Sequence, residues 1–297
     1  METLTDGAVL VQGITDGIAC RLVRQMQSYG TPVVAGIAPG DPCVQTQNLG
    51  IPLFDLVEQA MDSVGGIQLS IILGSAHRVM DAALEAIEAG IRQLILTPQG
   101  VPPLDMVRLL RVAEQTDTLV VGSHSAGVMI PGATMLGTFP PHLYTPGSVG
   151  LISRSSTLGF EGAGLLTKAG LGQSLAVSVG GDPISGSSFA QWLQLLEEHE
   201  PTQLIVLLGE LGGTAEEEAA QTIADQIDKP VVAYISGQTV SLSDYLGFAS
   251  TTLDPGQREK GSAARKIETL KRVGVIMADR LDRIPELVLE ILSRPKE

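Results

Sequence analysis

The chain has 297 residues and a formal charge of −14, with 33 acidic side chains against 19 basic ones. That balance argues against nucleic acid and anionic membrane as partners, though local groups can still hold a small anion. Hydrophobic residues make up 44% and aromatics only 3%, so the core must be aliphatic, as in parallel sheets packed between helices.

In chain order, A-V-L-V-Q-G at 8–13 reads as a buried strand ending at a glycine turn. Helical spacing follows over 17–29, then a strand at 33–37, a short strand at 51–54 and a helix at 55–63. Strand 69–73, helix 77–89, strand 94–96, helix 103–115 and strand 119–121 continue the alternation. Residues 127–148 are rich in Pro and Gly without a helical period and read as a linker. Alternation then resumes: strand 149–152, helix 157–169, strand 175–179, helix 187–198, strand 204–208, helix 214–227 and strand 231–235. An irregular stretch at 236–261 precedes a helix at 262–273, a strand at 275–277 and a last helix at 283–293. This pattern predicts two α/β domains with parallel sheets, 1–126 and 149–297. Cys20 and Cys43 are the only cysteines and form no CxxC or Cys/His cluster, so no metal site is expected. The start of the sequence has no basic stretch before an apolar run, and no apolar segment reaches ~20 residues, so a cytoplasmic location is expected.

Ligands of such sheets sit at the carboxyl ends of the strands, where helices begin. Five turns there carry polar groups. Strand 149–152 enters Ser153-Arg154-Ser155-Ser156-Thr157 at a helix start, an arrangement that suits phosphate and also suits an ordinary N-cap. Gly13-Ile14-Thr15-Asp16-Gly17 resembles a nucleotide-binding turn without being G-x-G-x-x-G, and the Asp16 carboxylate lies where it would repel a pyrophosphate. Asp41, after the second strand, is either a ribose-binding acid or part of a polar loop. His124, between Ser123 and Ser125, is either a base or nucleophile or a hydrogen-bonded loop residue. Glu210 stands among glycines that would let its carboxylate face a crevice, while Glu216, Glu217 and Glu218 read as favourable charge at a helix start.

Longer segments carry a resemblance: L-V-Q-G-I-T near the start, E-A-I-E-A-G-I at 85–91, G-V-P-P-L-D-M-V-R at 100–108 and P-G-S-V-G-L-I-S-R-S-S-T-L at 146–158. V-G-G-D-P-I-S-G at 179–186, G-E-L-G-G-T-A-E-E-E-A-A at 209–220 and K-P-V-V-A-Y-I-S-G at 229–237 extend it over nearly the whole chain. Together they resemble the α subunit of succinyl-CoA synthetase (succinate–CoA ligase). The resemblance implies an N-terminal Rossmann-like CoA-binding domain and a C-terminal flavodoxin-like ligase domain. It implies a CoA site around Gly13, Thr15, Gly17 and Thr97, and a phosphate turn at Ser153, Arg154, Ser155, Ser156 and Thr157. It also implies an ATP-grasp β subunit as partner, with self-association as the other arrangement.

The family works through a phosphohistidine in a G-H-A-G motif. Here the matching residues are Gly247-Phe248-Ala249-Ser250, and no histidine follows His199. Phenylalanine has no lone pair to accept a phosphoryl group. The family's T-G-x-x-G turn is Thr15-Asp16-Gly17-Ile18-Ala19, and its P-G-K-G-G is Pro39-Gly40-Asp41-Pro42-Cys43. The CoA site is therefore expected to be weakened by Asp16 and Asp41, with phosphate and CoA both left open as ligands. Glu210, which in the family orients the histidine, is kept. The leading expectation is an α-subunit-like protein without the phosphohistidine, serving in binding, regulation or assembly. One alternative is an acyl-CoA ligase or acyl-transfer subunit with altered chemistry centred on His124. The other is a sensor of phosphate or a phosphometabolite.

Overall fold

A computed structural model describes residues 7–40, 49–239 and 261–294. The chain divides into two compact units, Met1–Phe139 with Ile184–Ser187, and Pro140–Pro183 with Ser188–Glu297.

The first unit is built on six parallel strands: β1 (Ala8–Gln12), β2 (Val33–Ile37), β3 (Leu53–Phe54), β4 (Ile67–Ile72), β5 (Gln93–Leu96) and β6 (Leu119–Gly122). Their order is β3-β2-β1-β4-β5-β6, so the chain leaves β1 towards one edge and returns at β4 to build the other half. The connecting helices are α1 (Gly17–Tyr29), α2 (Val57–Val64), α3 (Val79–Glu88) and α4 (Pro103–Gln115). The strands are apolar on both faces because both are covered; β4, I-Q-L-S-I-I, is buried at every position except Gln68. The core is aliphatic as composition demands, with Leu10, Ile72, Ile87, Leu94, Leu96 and Leu109 in one cluster.

The stretch 127–148 is more ordered than its Pro and Gly content suggested. It forms an antiparallel hairpin of β7 (Gly127–Ile130) and β8 (Thr134–Gly137), then a 3-10 turn at Pro141–Leu143. Its hydrogen bonds explain the order. The Thr31 hydroxyl donates to the Met135 carbonyl at 2.8 Å and accepts from the Met135 N–H at 3.1 Å, while the Tyr29 hydroxyl accepts from Gly132 N–H at 2.9 Å. Gly127 and Gly137 face each other so closely that a Cβ on Gly127 would lie 1.8 Å from the Leu136 carbonyl oxygen. The glycines read as linker signals are thus the residues that let two strands approach.

The second unit contains β9 (Pro146–Ser153), α5 (Ser156–Lys168), β10 (Gln173–Ser178), α6 (Phe189–Glu198), β11 (Leu204–Gly209), α7 (Ala215–Gln226), β12 (Val231–Ile235), α8 (Ala263–Arg272), β13 (Ile276–Met277) and α9 (Ile284–Leu292). Its parallel strands run in the order β10-β9-β11-β12-β13. That is the flavodoxin-like order, with the reversal beside β9. Gly150 and Gly162 pack where a Cβ would meet Leu196 at 2.8 Å and Leu208 at 2.6 Å, so helices lie close on the sheet. Among the described residues no helix is long and apolar enough to cross a membrane.

Candidate functional site

In the first unit a crevice of about 570 Å³ opens at the carboxyl ends of β1, β2 and β4. This is the switch point of the sheet, where the connections part to either side. Gly13 and Thr15 line it, together with Asp55, Ser75, Arg78 and Asp81. Gly13 has φ of +81°, and a Cβ there would lie 2.4 Å from the Leu73 carbonyl oxygen, so the turn admits only glycine. Gly17 begins α1 and Thr97 donates its hydroxyl to the Ile72 carbonyl at 3.0 Å; neither is among the lining residues.

Asp16 is the N-cap of α1. Its Oδ1 accepts from the N–H groups of Ile18 at 2.9 Å and Ala19 at 2.8 Å. The carboxylate therefore does two things at once: it adds negative charge at the helix start and occupies donors that an anion would need. Asp41 lies outside the described residues. Asp16 is not itself among the lining residues; Asp55, Asp81, Glu85 and Arg78 are, and sequence reading missed them. Asp55 directly follows β3 and Arg78 precedes α3, positions that the strand-end rule alone would have brought into view. His124 follows β6 with φ of +54°, and its N–H donates to the Pro98 carbonyl at 2.9 Å; it is not among the residues lining the crevice.

In the second unit the serine turn joins β9 to α5. Ser153, the last residue of β9, is buried and donates its hydroxyl to the Ser155 carbonyl at 2.6 Å. Ser155 is the N-cap; its Oγ accepts from Leu158 N–H at 3.5 Å and lies 3.2 Å from the Thr157 hydroxyl. Ser156 pairs with Ser178 across to β10 at 3.0 Å. The first N–H groups of the 13-residue α5 have no intrahelical acceptor, which is the property that suits such a turn to an anion.

Arg154, within the same turn, finds partners in the 209–216 segment. Its guanidinium is buried against the 209–213 turn, where Nη1 donates to the Gly212 carbonyl, Nε lies 3.5 Å from Glu210 Oε1, and Nη1 lies 4.0 Å from Glu216 Oε2. Lys266 of α8 completes the cluster. Its Nζ donates to the carbonyls of Glu210 at 2.8 Å and Gly212 at 2.6 Å, and to the carboxylate of Glu216. Lys266 and Glu216 are both 0% exposed. Glu216 does lie in the first turn of α7, but as a buried ion-pair partner rather than a solvated helix-start charge. Its neighbour Glu217 accepts from Gly261 N–H at 3.1 Å and lies 3.5 Å from Arg265 Nε.

Among the described residues two cations thus face two carboxylates, and the buried Lys266–Glu216 pair is supported by further hydrogen bonds to the 209–212 backbone, which is the condition for burying charge. Burial lifts the Glu210 carboxyl above its usual range and Glu216 adds to this, while Arg154 and Lys266 oppose it. Burial also lowers the Lys266 ammonium, against the pull of Glu216. Nothing in the local sequence singled out Lys266, because its partner lies 50 positions away. Phe248 lies outside the described residues.

Comparison with known proteins bears on both units. The CoA binding domain family matches residues 5–100, and the CoA-ligase family matches residues 152–267. The succinate–CoA ligase [ADP-forming] subunit alpha of Aquifex aeolicus is 38% identical over 290 residues, covering 97% of this chain and 93% of that protein. The protein of the same name from Staphylococcus epidermidis is 37% identical, covering 96% and 93%. Among solved structures, the ATP citrate lyase of Methanothrix soehngenii in complex with citrate and coenzyme A superposes with a TM-score of 0.81 at 20% identity. That match covers 99% of this chain and 52% of the lyase, so the chain spans about half of that larger protein. The dinucleotide forming acetyl-coenzyme A synthetase 1 of Ca. Korarchaeum cryptofilum gives 0.72 at 21% identity, covering 93% of this chain and 58% of the synthetase. At these identities the structural likeness concerns the fold.

Proposed function

Because the chain belongs to the succinate–CoA ligase α-subunit family, we propose that it keeps the family's two-unit shell without its phosphoryl relay, as a non-catalytic binding, regulatory or assembly protein. One observation carries this reading: Phe248 stands in Gly247-Phe248-Ala249-Ser250 at the position that matches the phosphohistidine, and no histidine follows His199. An aromatic hydrocarbon cannot take a phosphoryl group from an acyl phosphate or pass one to a nucleoside diphosphate. The surrounding framework supports retention of the shell, since Glu210 is still clamped by Glu216 and Lys266 and paired with Arg154. The partner that fits is an ATP-grasp β subunit, because relatives of this length are named as one subunit of a ligase.

The crevice in the first unit fits CoA in position and size but not in charge. Its place at the switch point and its 570 Å³ suit a nucleotide. Two of the α1 N-terminal donors, the N–H groups of Ile18 and Ala19, are however taken by Asp16. The α5 helix start favours a second reading, a sensor of phosphate or a phosphorylated metabolite, in which the serine turn holds an anion without turning it over.

The deciding experiment is phosphorylation. The chain is incubated with a ligase β subunit and labelled ATP, or with succinyl-CoA and labelled phosphate. No acid-labile phosphate is expected on it; its appearance overturns the non-catalytic reading.

A further inference from the structure

We propose that the crevice at the ends of β1, β2 and β4 selects an unphosphorylated nucleoside over nucleoside phosphates and CoA, through the lining carboxylates, Asp81 among them, and through Asp16, which adjoins the lining Thr15 and caps α1. The inference rests on the reading of this chain as a shell with a surviving ligand site, and names the ligand class of that site.

A sheet of this kind binds diphosphate with the N–H groups at helix starts. Around this crevice those donors are held by the chain's own carboxylates. Asp16 Oδ1 accepts from Ile18 and Ala19, and Glu85 Oε1 accepts from Val57 N–H, at the start of α2, at 2.8 Å. Asp55 Oδ1 accepts from Gly40 N–H, in the loop after β2, at 3.1 Å. Lining charge follows the same sense: Asp55, Asp81 and Glu85 stand against one guanidinium, Arg78. A phosphate brought here meets three carboxylates against one guanidinium.

The same groups suit a sugar diol. Ionised carboxylates only accept, with room for several hydrogen bonds each, and ribose hydroxyls donate. Asp55 is tied to Gly40 and so presents its carboxylate beside the end of β2. There, related sheets hold the acid that accepts from a ribose. Ile37, Pro39 and Leu73 supply apolar wall for a flat, uncharged base.

The test is calorimetric titration of the full chain with adenosine, ADP and CoA at low and high ionic strength. Adenosine is expected to bind at least about tenfold more tightly than ADP or CoA, with the gap shrinking as salt screens the carboxylates. Asp16→Gly, which frees the α1 donors at little cost in capping, is expected to narrow the gap about tenfold. Asp81→Asn, at an exposed position, narrows it in the same direction without touching a cap. Binding of ADP or CoA as tight as adenosine overturns the proposal, as does no adenosine binding, or a gap that neither variant moves. None of these results alters the phosphorylation outcome, so the two readings fail separately.

Discussion

Lys266 and Glu216 hold residue 210 by its backbone from both sides. Glu216 Oε1 accepts the Glu210 N–H at 3.0 Å, and Lys266 Nζ donates to the Glu210 carbonyl at 2.8 Å. The pair comes from two helices, α7 and α8, and meets over the turn that ends β11. Gly209 accommodates it, since a Cβ there would lie 2.7 Å from the Glu216 side chain. The Glu210 carboxylate is thereby aimed at Arg154 by a frame that neither residue makes alone.

Lys266→Met should cost about 3–5 kcal/mol, because it strands the buried Glu216 carboxylate and two carbonyls. The double replacement Lys266→Met with Glu216→Leu should cost clearly less than the sum of the single changes, since it removes both charges. Urea denaturation of the three variants closes the cycle. Additive costs would show that the pair is not coupled.

Glu210 predicts a pH dependence with a definite sign. Its folded pKa is raised, chiefly by burial, so its contribution to stability is full below the usual carboxylate pKa and is lost as pH rises through the raised value. Glu210→Gln removes this titration. Relative to the parent, the variant should therefore gain stability as pH rises from about 4.5 through the folded value. Denaturation midpoints measured across that window read the trend; a flat or opposite difference contradicts the assignment.

Gly13→Ala should destabilise the first unit by about 1–3 kcal/mol, through both the positive φ and the 2.4 Å approach to the Leu73 carbonyl. Adenosine binding in the crevice should weaken in parallel. A variant as stable as the parent would mean that the turn between β1 and α1 has another accessible conformation.

His124→Ala separates the non-catalytic reading from the acyl-transfer one. On the non-catalytic reading, the replacement changes no turnover in the presence of a β subunit. Thioester formation that the parent supports and the variant loses would instead place chemistry at His124.

Much of this architecture was legible from periodicity. Helices 17–29 and 103–115 and strands 33–37, 204–208 and 231–235 lie within a residue of their expected limits, because their apolar spacing is local and strong. The hairpin at 127–137 was not legible. Its stability comes from Thr31 and Tyr29, residues about a hundred positions away, and its glycines serve packing rather than flexibility.

The sequence by itself determined which groups are available: a serine turn at a helix start, a carboxylate at residue 16, and a phenylalanine at 248. Residue identity is written in the chain, and a phenylalanine side chain has no lone pair with which to accept a phosphoryl group. Only the tertiary structure decided how those groups are used. It turned Arg154 into a buried cluster, paired Glu216 with Lys266, and brought Asp55, Asp81 and Glu85 to one crevice. Charge and hydrogen bonding act over a few ångströms, and those neighbours are set by the packing of elements that lie far apart in the chain.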